Sequence, residues 1–376
     1  MQDSRRCALS ARKPTNEKGP TMARSELPGV NVAGIASVVP SVIHRIEDDR
    51  DLFCGGDAEM RRIKKVIGLG TRHVVPPGRC ASDLAEHAFQ RLLPEVGWAA
   101  ESIDALVFVT QCPDYIMPST ACVLHGKLGL SKDCAAFDVN QGCAGYVYGL
   151  WLGAMMIASH ACRRVAILTS DTVSRLASPS DRSTTILFGD AGAATLLESS
   201  DVDDSMYFSM HCDGTGFDQL FVPAGGFRTP RSHSTGTLQE HSAGCARSDE
   251  HLYMNGAEIM DFTLREVPPL LKGIVDYSGW AMEDVDGFVL HQANRFIIRN
   301  IARKAGLPLA KCPDGICEKF GNQSCASVPV TMCHCLGSQL RNAPTRLVMA
   351  GFGAGLSWAA CAATVGPMAC LPIIEE

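Results

Sequence analysis

A chain of 376 residues in which 46% of positions are hydrophobic and 20% charged can bury one large core or two fused ones, because the buried fraction rises with size. Its net charge of −6 and isoelectric point near 6.0 argue against a general nucleic-acid binder, and no apolar run reaches the roughly 20 residues of a membrane span. The 17 cysteines are odd in number, scattered and mostly set in apolar stretches, with no secretory h-region at the start of the chain. They read as small core hydrophobes in a reducing, cytoplasmic compartment rather than as a disulfide framework. No C-x-x-C pair occurs, and in Cys333, His334 and Cys335 neighbouring positions of a helix-like run point different ways, which argues against a zinc site.

In chain order, residues 1–28 are polar, basic and broken by Pro and Gly, which predicts a disordered extension, with Met22 a candidate start. From residue 29 short β-branched runs alternate with helical patterns, as in an α/β protein. An internal repeat narrows the architecture. "GWAAESIDALVF" at 97–108 aligns with "GWAMEDVDGFVL" at 279–290, and "RRVAILTSD" at 163–171 with "TRLVMAGFG" at 345–353, both at an offset of 182 residues. One fixed offset implies a duplicated α/β unit, 29–198 and 251–376, packed as sheet and helix layers about a pseudo-twofold axis. The Ser-, His-, Gly- and Asp-rich segment 199–250 reads as connecting loops.

In "DVNQGCAGYVYGLWLGAMMIAS", residues 138–159, a strand and an NQG turn place Cys143 at the first turn of an apolar helix. Unpaired N–H groups and the helix dipole favour an anion there, so the position suits a thiolate nucleophile. On its own this is weak, since most cysteines are structural. Partners come from the second half: "VLHQAN" puts His291 just beyond a strand, and "GNQSCAS" puts Asn322 ahead of a helix related by the repeat to that of Cys143. Strand ends and helix starts from both halves converge on one site, where ligands of α/β sheets bind. Arg295, Arg299 and Arg303 recur every four residues on one helical face, with Lys304 adjacent, a stripe suited to an acidic carrier protein or to phosphates and equally to a solvated face.

The strings "NQGCAGYVYGL", "ILFGDAGAATLL", "LHQAN", "GNQSCAS" and "GFGAGLSW" together closely resemble the β-ketoacyl-acyl carrier protein synthase III branch of the thiolase superfamily, over residues 29 to 366. The resemblance implies a thiolase-like αβαβα fold and a decarboxylative Claisen condensation of an acyl-coenzyme A or acyl-carrier starter with malonyl-carrier protein or malonyl-coenzyme A. It implies Cys143 as acyl carrier, His291 and Asn322 as the decarboxylation pair, the backbone N–H groups of Cys143 and Ala354 as the oxyanion hole, a homodimer, and no metal or redox cofactor. Two departures stand out. The tryptophan that stacks on adenine in many relatives has no equivalent in "EMRRIKKVIGLGTRHV", leaving Arg61, Arg62, Lys64 and Lys65 for phosphate contacts; and Met117 replaces a phenylalanine that often closes the acyl pocket across the dimer interface, which implies a longer, softer pocket. Three alternatives stay open: an acyltransferase of the same fold, a non-catalytic partner subunit, and a cysteine hydrolase.

Overall fold

The computed structural model describes residues 23–202 and 204–376. Two sheets form its skeleton. The first orders Ala369–Cys370, Val30–Val39, Ala191–Ser199, Arg164–Asp171, Ala105–Val109 and Ala135–Val139, with Ile374–Glu375 also pairing with Val30–Val39. The second orders Ala23–Pro28, Ser205–Cys212, Ser357–Val365, Thr345–Gly353 and Gly287–Leu290. Ala105–Val109, "ALVFV", is buried at every position, the unbroken apolar run expected of a strand covered on both faces.

Between the sheets lie the helix Gly145–Ala158 and its counterpart, continuous from Ser327 to Asn342 with a π-turn at Met332–Leu336. Both pack into one core cluster with the inner faces of both sheets. Ala81–Val96 and Thr120–Lys127 cover the outer face of the first sheet, and Gly256–Ser278 and Arg295–Ala305 that of the second. The result is the five-layer αβαβα arrangement. Gly145–Ala158 is apolar all round, as a helix must be when it has a sheet on either side.

The repeat is visible in detail. The helices Ala81–Val96 and Gly256–Ser278 end in Gly97 and Gly279, both at φ 73°, a left-handed cap that glycine reaches without strain. Each is followed by a short 3₁₀ turn and a strand of the parallel pair. The copies diverge where Ala135–Val139 adds a strand to the first sheet, because the matching stretch of the second half coils into the helix Ile316–Phe320.

Two boundaries differ from the sequence expectation. The disorder predicted over 1–28 fails for its last six residues, since Ala23–Pro28 pairs antiparallel with Ser205–Cys212; residues 1–22, including Met22, lie outside the described residues. The segment 199–250 is not all loop, because Ser205–Cys212 sits between two strands of the second sheet. Its "SMYFSMHC" buries Met206, Phe208, Ser209 and Met210, a signal diluted by the polar loops on both sides. The chain ends therefore cross: the first strand completes the second sheet and the last two complete the first. No helix of the described residues is long and apolar enough to cross a membrane.

Candidate active site

Cys143 follows the tight turn after Ala135–Val139, two residues ahead of the helix Gly145–Ala158. It is 7% exposed. The backbone of Gly353, at the end of Thr345–Gly353, lies so close that a Cβ there would stand 2.7 Å from the sulfur, so only glycine fits. The main-chain groups of Ala354 and of Cys143 itself lie near enough to the sulfur to favour its anion. Burial nevertheless dominates and pushes the thiol up to about 11. The thiolate expected from the helix start is therefore not the resting state; the thiol is protonated at neutral pH.

His291 directly follows Gly287–Leu290, and its N–H donates to Ala350 O at 2.7 Å, as though continuing the strand pairing. Its Nδ1 pairs with the Ser327 hydroxyl at 2.7 Å, and that hydroxyl accepts the Gln292 N–H at 3.3 Å. Because the Ser327 oxygen already accepts, its own proton is free to go to Nδ1, which puts the imidazole proton on Nε2. Burial holds His291 down to about 4, opposed by a hydrogen bond to the Ser324 main chain, so the ring is neutral at physiological pH. Phe352 stands edge-on to it with ring centroids 5.5 Å apart.

Asn322 is fixed through its backbone, donating its N–H to Leu187 O at 2.8 Å and accepting from Gly189 N–H at 3.1 Å. Its Oδ1 accepts the Ser324 N–H at 3.0 Å, leaving the Nδ2 amide as the end available to donate. Cys143, His291 and Asn322 all line one small cavity of about 90 Å³, with Phe188, Ile297, Phe352 and Gly353 around them. On the other side of Cys143 a second cavity of about 340 Å³ is walled by Val173, Leu176, Phe188, Leu220, Phe221, Val222 and Leu252, with Ser324 and Ala354 beside the sulfur. The thiol thus lines both a narrow chamber that carries His291 and Asn322 and a wider one walled largely by aliphatic and aromatic side chains.

The remaining predicted residues sit further out. Arg61 and Arg62 lie exposed on the helix Gly56–Ile63 and Lys65 on the π-turn Lys64–Gly68. That turn packs on the helix Arg295–Ala305, with Gly68 against the Arg295 side chain, so basic residues more than 200 positions apart share one face. Asn294 and Ile297 of this region line the small cavity. The stripe is less free than its spacing suggested: Arg295 pairs with Glu318, Arg299 with Asp314 at 2.5 Å, Arg303 with Asn300 at 3.0 Å and Lys64 with Glu47 at 2.6 Å. Met117 is 85% exposed and lines neither cavity beside Cys143, so a place in an acyl pocket requires a second chain. Two neighbours of the sulfur were not singled out in the sequence, Asp171 and Ser324. One reads as a strand end and the other as a helix-start serine, and only folding brings them together.

A duplicated αβαβα fold with a cysteine at a central-helix start, faced by a histidine and an asparagine from the other half, defines a thiolase-fold condensing enzyme. The comparisons agree. Residues 137–214 match the family model for 3-oxoacyl-[acyl-carrier-protein (ACP)] synthase III, and residues 275–365 that of its C-terminal part. A putative 3-oxoacyl-[acyl-carrier-protein] synthase 3 of Campylobacter jejuni is 35% identical over 87% of this chain and 91% of its own. The crystal structure of a 3-oxoacyl-(acyl-carrier protein) synthase from Burkholderia xenovorans LB400 superposes with a TM-score of 0.88 and 40% identity, covering 94% of this chain and 99% of that one. A priming β-ketosynthase from the R1128 polyketide pathway superposes with a TM-score of 0.77 and 25% identity over 90% and 97%. The chain belongs to the 3-oxoacyl-[acyl-carrier-protein] synthase III family, the condensing enzymes of fatty-acid or polyketide biosynthesis.

Proposed function

We propose that the protein is an acyltransferase that builds a 3-oxoacyl thioester by decarboxylative condensation, with the acyl group carried on Cys143 and malonyl thioester activated by His291 and Asn322. The observation that carries this reading is the shared chamber: nucleophile, imidazole and amide line one cavity, and Ala354 lies beside the sulfur. Attack of the sulfur on an acyl thioester generates an oxyanion, which the N–H groups of Cys143 and Ala354 are placed to hold. Loss of carbon dioxide from the malonyl group then leaves an enolate oxygen. Nε2–H of the neutral His291 and Nδ2–H of Asn322 donate to it, each donor being worth about 3 kcal/mol in such sites. The enolate carbon attacks the acyl carbonyl and the 3-oxoacyl thioester departs. These steps use no metal and no redox cofactor.

The apolar cavity supports a starter longer than acetyl. At roughly 30 Å³ for a water-sized group, about 340 Å³ holds a chain of several carbons. Exposed Tyr115, Ile116, Met117 and Phe227 form an apolar surface fitted to a second copy, and the 16 described cysteines are all free, in keeping with a cytoplasmic enzyme. The face shared by Arg61, Arg62, Lys65 and Arg303 supports docking of an acidic acyl carrier protein. Arg303→Glu is expected to slow turnover with carrier-bound malonate several-fold more than with malonyl-coenzyme A, and equal slowing of both would remove the carrier from that face.

Incubation with acyl-coenzyme A followed by peptide mass analysis tests the nucleophile, and addition of malonyl-carrier protein tests the condensation. The expected result is an acyl increment on the Cys143 peptide that is discharged with release of carbon dioxide and a 3-oxoacyl product. Discharge without carbon dioxide would assign a simple acyl transfer or hydrolysis instead, and absence of the increment would remove Cys143 from catalysis.

A further inference from the structure

Ser324 touches every member of the Cys143, His291 and Asn322 set. Its N–H fixes the Asn322 amide at 3.0 Å, its main chain bonds His291, and its side chain reaches the Cys143 sulfur from the wall of the apolar cavity. It holds this position at φ 48°, a left-handed conformation uncommon for a residue with a side chain and typical of constrained functional positions. The strand that ends in Asp171 packs on the turn Ser324–Ala326, and the same hydroxyl is close enough to Asp171 to favour its charged form. Asp171 is fully buried at the end of Arg164–Asp171. Its Oδ1 accepts the Gln111 N–H at 2.7 Å and the Thr110 hydroxyl at 3.1 Å, while Oδ2 is sealed from solvent with no partner at normal hydrogen-bond geometry. The other titratable groups around the carboxylate are the thiols of Cys112 and Cys325, and the Cys325 thiol competes with Ser324 for Asp171. A buried carboxylate oxygen without a partner is costly, and the Ser324 side chain lies in the neighbourhood of both this carboxylate and a thiol that must lose its proton.

We propose that Ser324 and Asp171 form a proton relay for acylation of Cys143, a proposal that rests on Cys143 being the acyl carrier. As the sulfur attacks the thioester carbon, the S–H bond breaks and its proton passes to Ser324 Oγ, while the Ser324 hydroxyl proton passes to the Asp171 carboxylate. The carbonyl π electrons move to the oxygen held by the N–H groups of Cys143 and Ala354. When the tetrahedral intermediate collapses, the bond to the departing thiol sulfur breaks and that thiolate takes a proton back along the same path, restoring Asp171 as a carboxylate. Burial raises the affinity of Asp171 for a proton, which suits it to accept one. The contacts of the Ser324 hydroxyl lie outside normal hydrogen-bond geometry and are expected to tighten around substrate, as such contacts commonly do.

The test compares the unaltered enzyme with Ser324→Ala, Asp171→Asn and the double variant. Three quantities are read on each: the single-turnover rate of Cys143 acylation by acyl-coenzyme A, the rate of malonyl-coenzyme A decarboxylation, and the pH profile of acylation. A general-base path contributes about 100-fold or more, so Ser324→Ala is expected to lower the ratio of acylation to decarboxylation about 100-fold and to shift the acylation profile to higher pH. The double variant is expected to be no slower than the slower single one, since the two act as a unit. A parallel fall of both rates would reduce Ser324 to a structural support, and an unchanged ratio and pH profile would overturn the relay. A larger loss of acylation in His291→Gln than in Ser324→Ala would move the base to the imidazole. If the unaltered enzyme does not acylate at Cys143, the underlying functional reading fails instead.

Discussion

Burial of His291 serves the chemistry and weakens the fold on acidification. The ring is held down to about 4, whereas an unfolded histidine titrates near 6.5. Between those values the unfolded chain binds a proton that the native state refuses, so stability falls as pH drops from about 6.5 toward 4, by up to about 3 kcal/mol from this one group. Melting temperatures at pH 7 and pH 5 are expected to differ less in His291→Gln than in the unaltered protein, and an equal difference would place the acid sensitivity elsewhere. Ser327 decides which nitrogen carries the proton. Ser327→Ala frees the tautomer and is expected to slow malonyl decarboxylation about tenfold or more while acylation by acyl-coenzyme A changes less, a split readable in separate single-turnover assays. Cys143, His291 and Asn322 were legible in the chain because each stands next to a recognisable strand end or helix start. Asp171 and Ser324 were not, because a strand-terminal aspartate and a helix-start serine are ordinary by residue type, and their partnership exists only after residues far apart in sequence meet.

At the scale of elements, the nucleophile is positioned by backbone packing as much as by its own helix. Gly353→Ala would set a methyl group 2.7 Å from the Cys143 Cβ and sulfur. Such overpacking typically costs 1–3 kcal/mol, so the variant is expected to melt several degrees lower and to acylate Cys143 far more slowly. A variant that melted normally and acylated at the native rate would show that the strand end has room to yield. The apolar helix and the alternation of strands with helices could be read ahead of the structure because their periodicity or composition is local. The strands Ala23–Pro28 and Ser205–Cys212 could not. "ARSELP" is mostly exposed and carries no apolar alternation, and its strand state comes from a partner far along the chain, Met210 opposite Ala23 at one end and Ser205 opposite Pro28 at the other.

For the whole molecule, the twofold character of the chain was readable from its internal repeat, but the way the halves are tied was not. The apolar surface at Tyr115, Ile116 and Met117 is continuous with a cavity of about 690 Å³ that also reaches Asn140 in the wall of the Cys143 site. If a second copy covers this surface, Ile116→Asp is expected to convert a dimer to a monomer by light scattering and to alter the preferred acyl length. A wild-type monomer would remove that assignment. The crossed ends bear on how the halves assemble. Val30–Val39 is flanked on one side by Ala369–Cys370 and Ile374–Glu375, so the sheet of the N-terminal half keeps an open edge until residues from the far side of the molecule arrive, and deletion of 367–376 would leave that strand paired with Ala191–Ser199 alone.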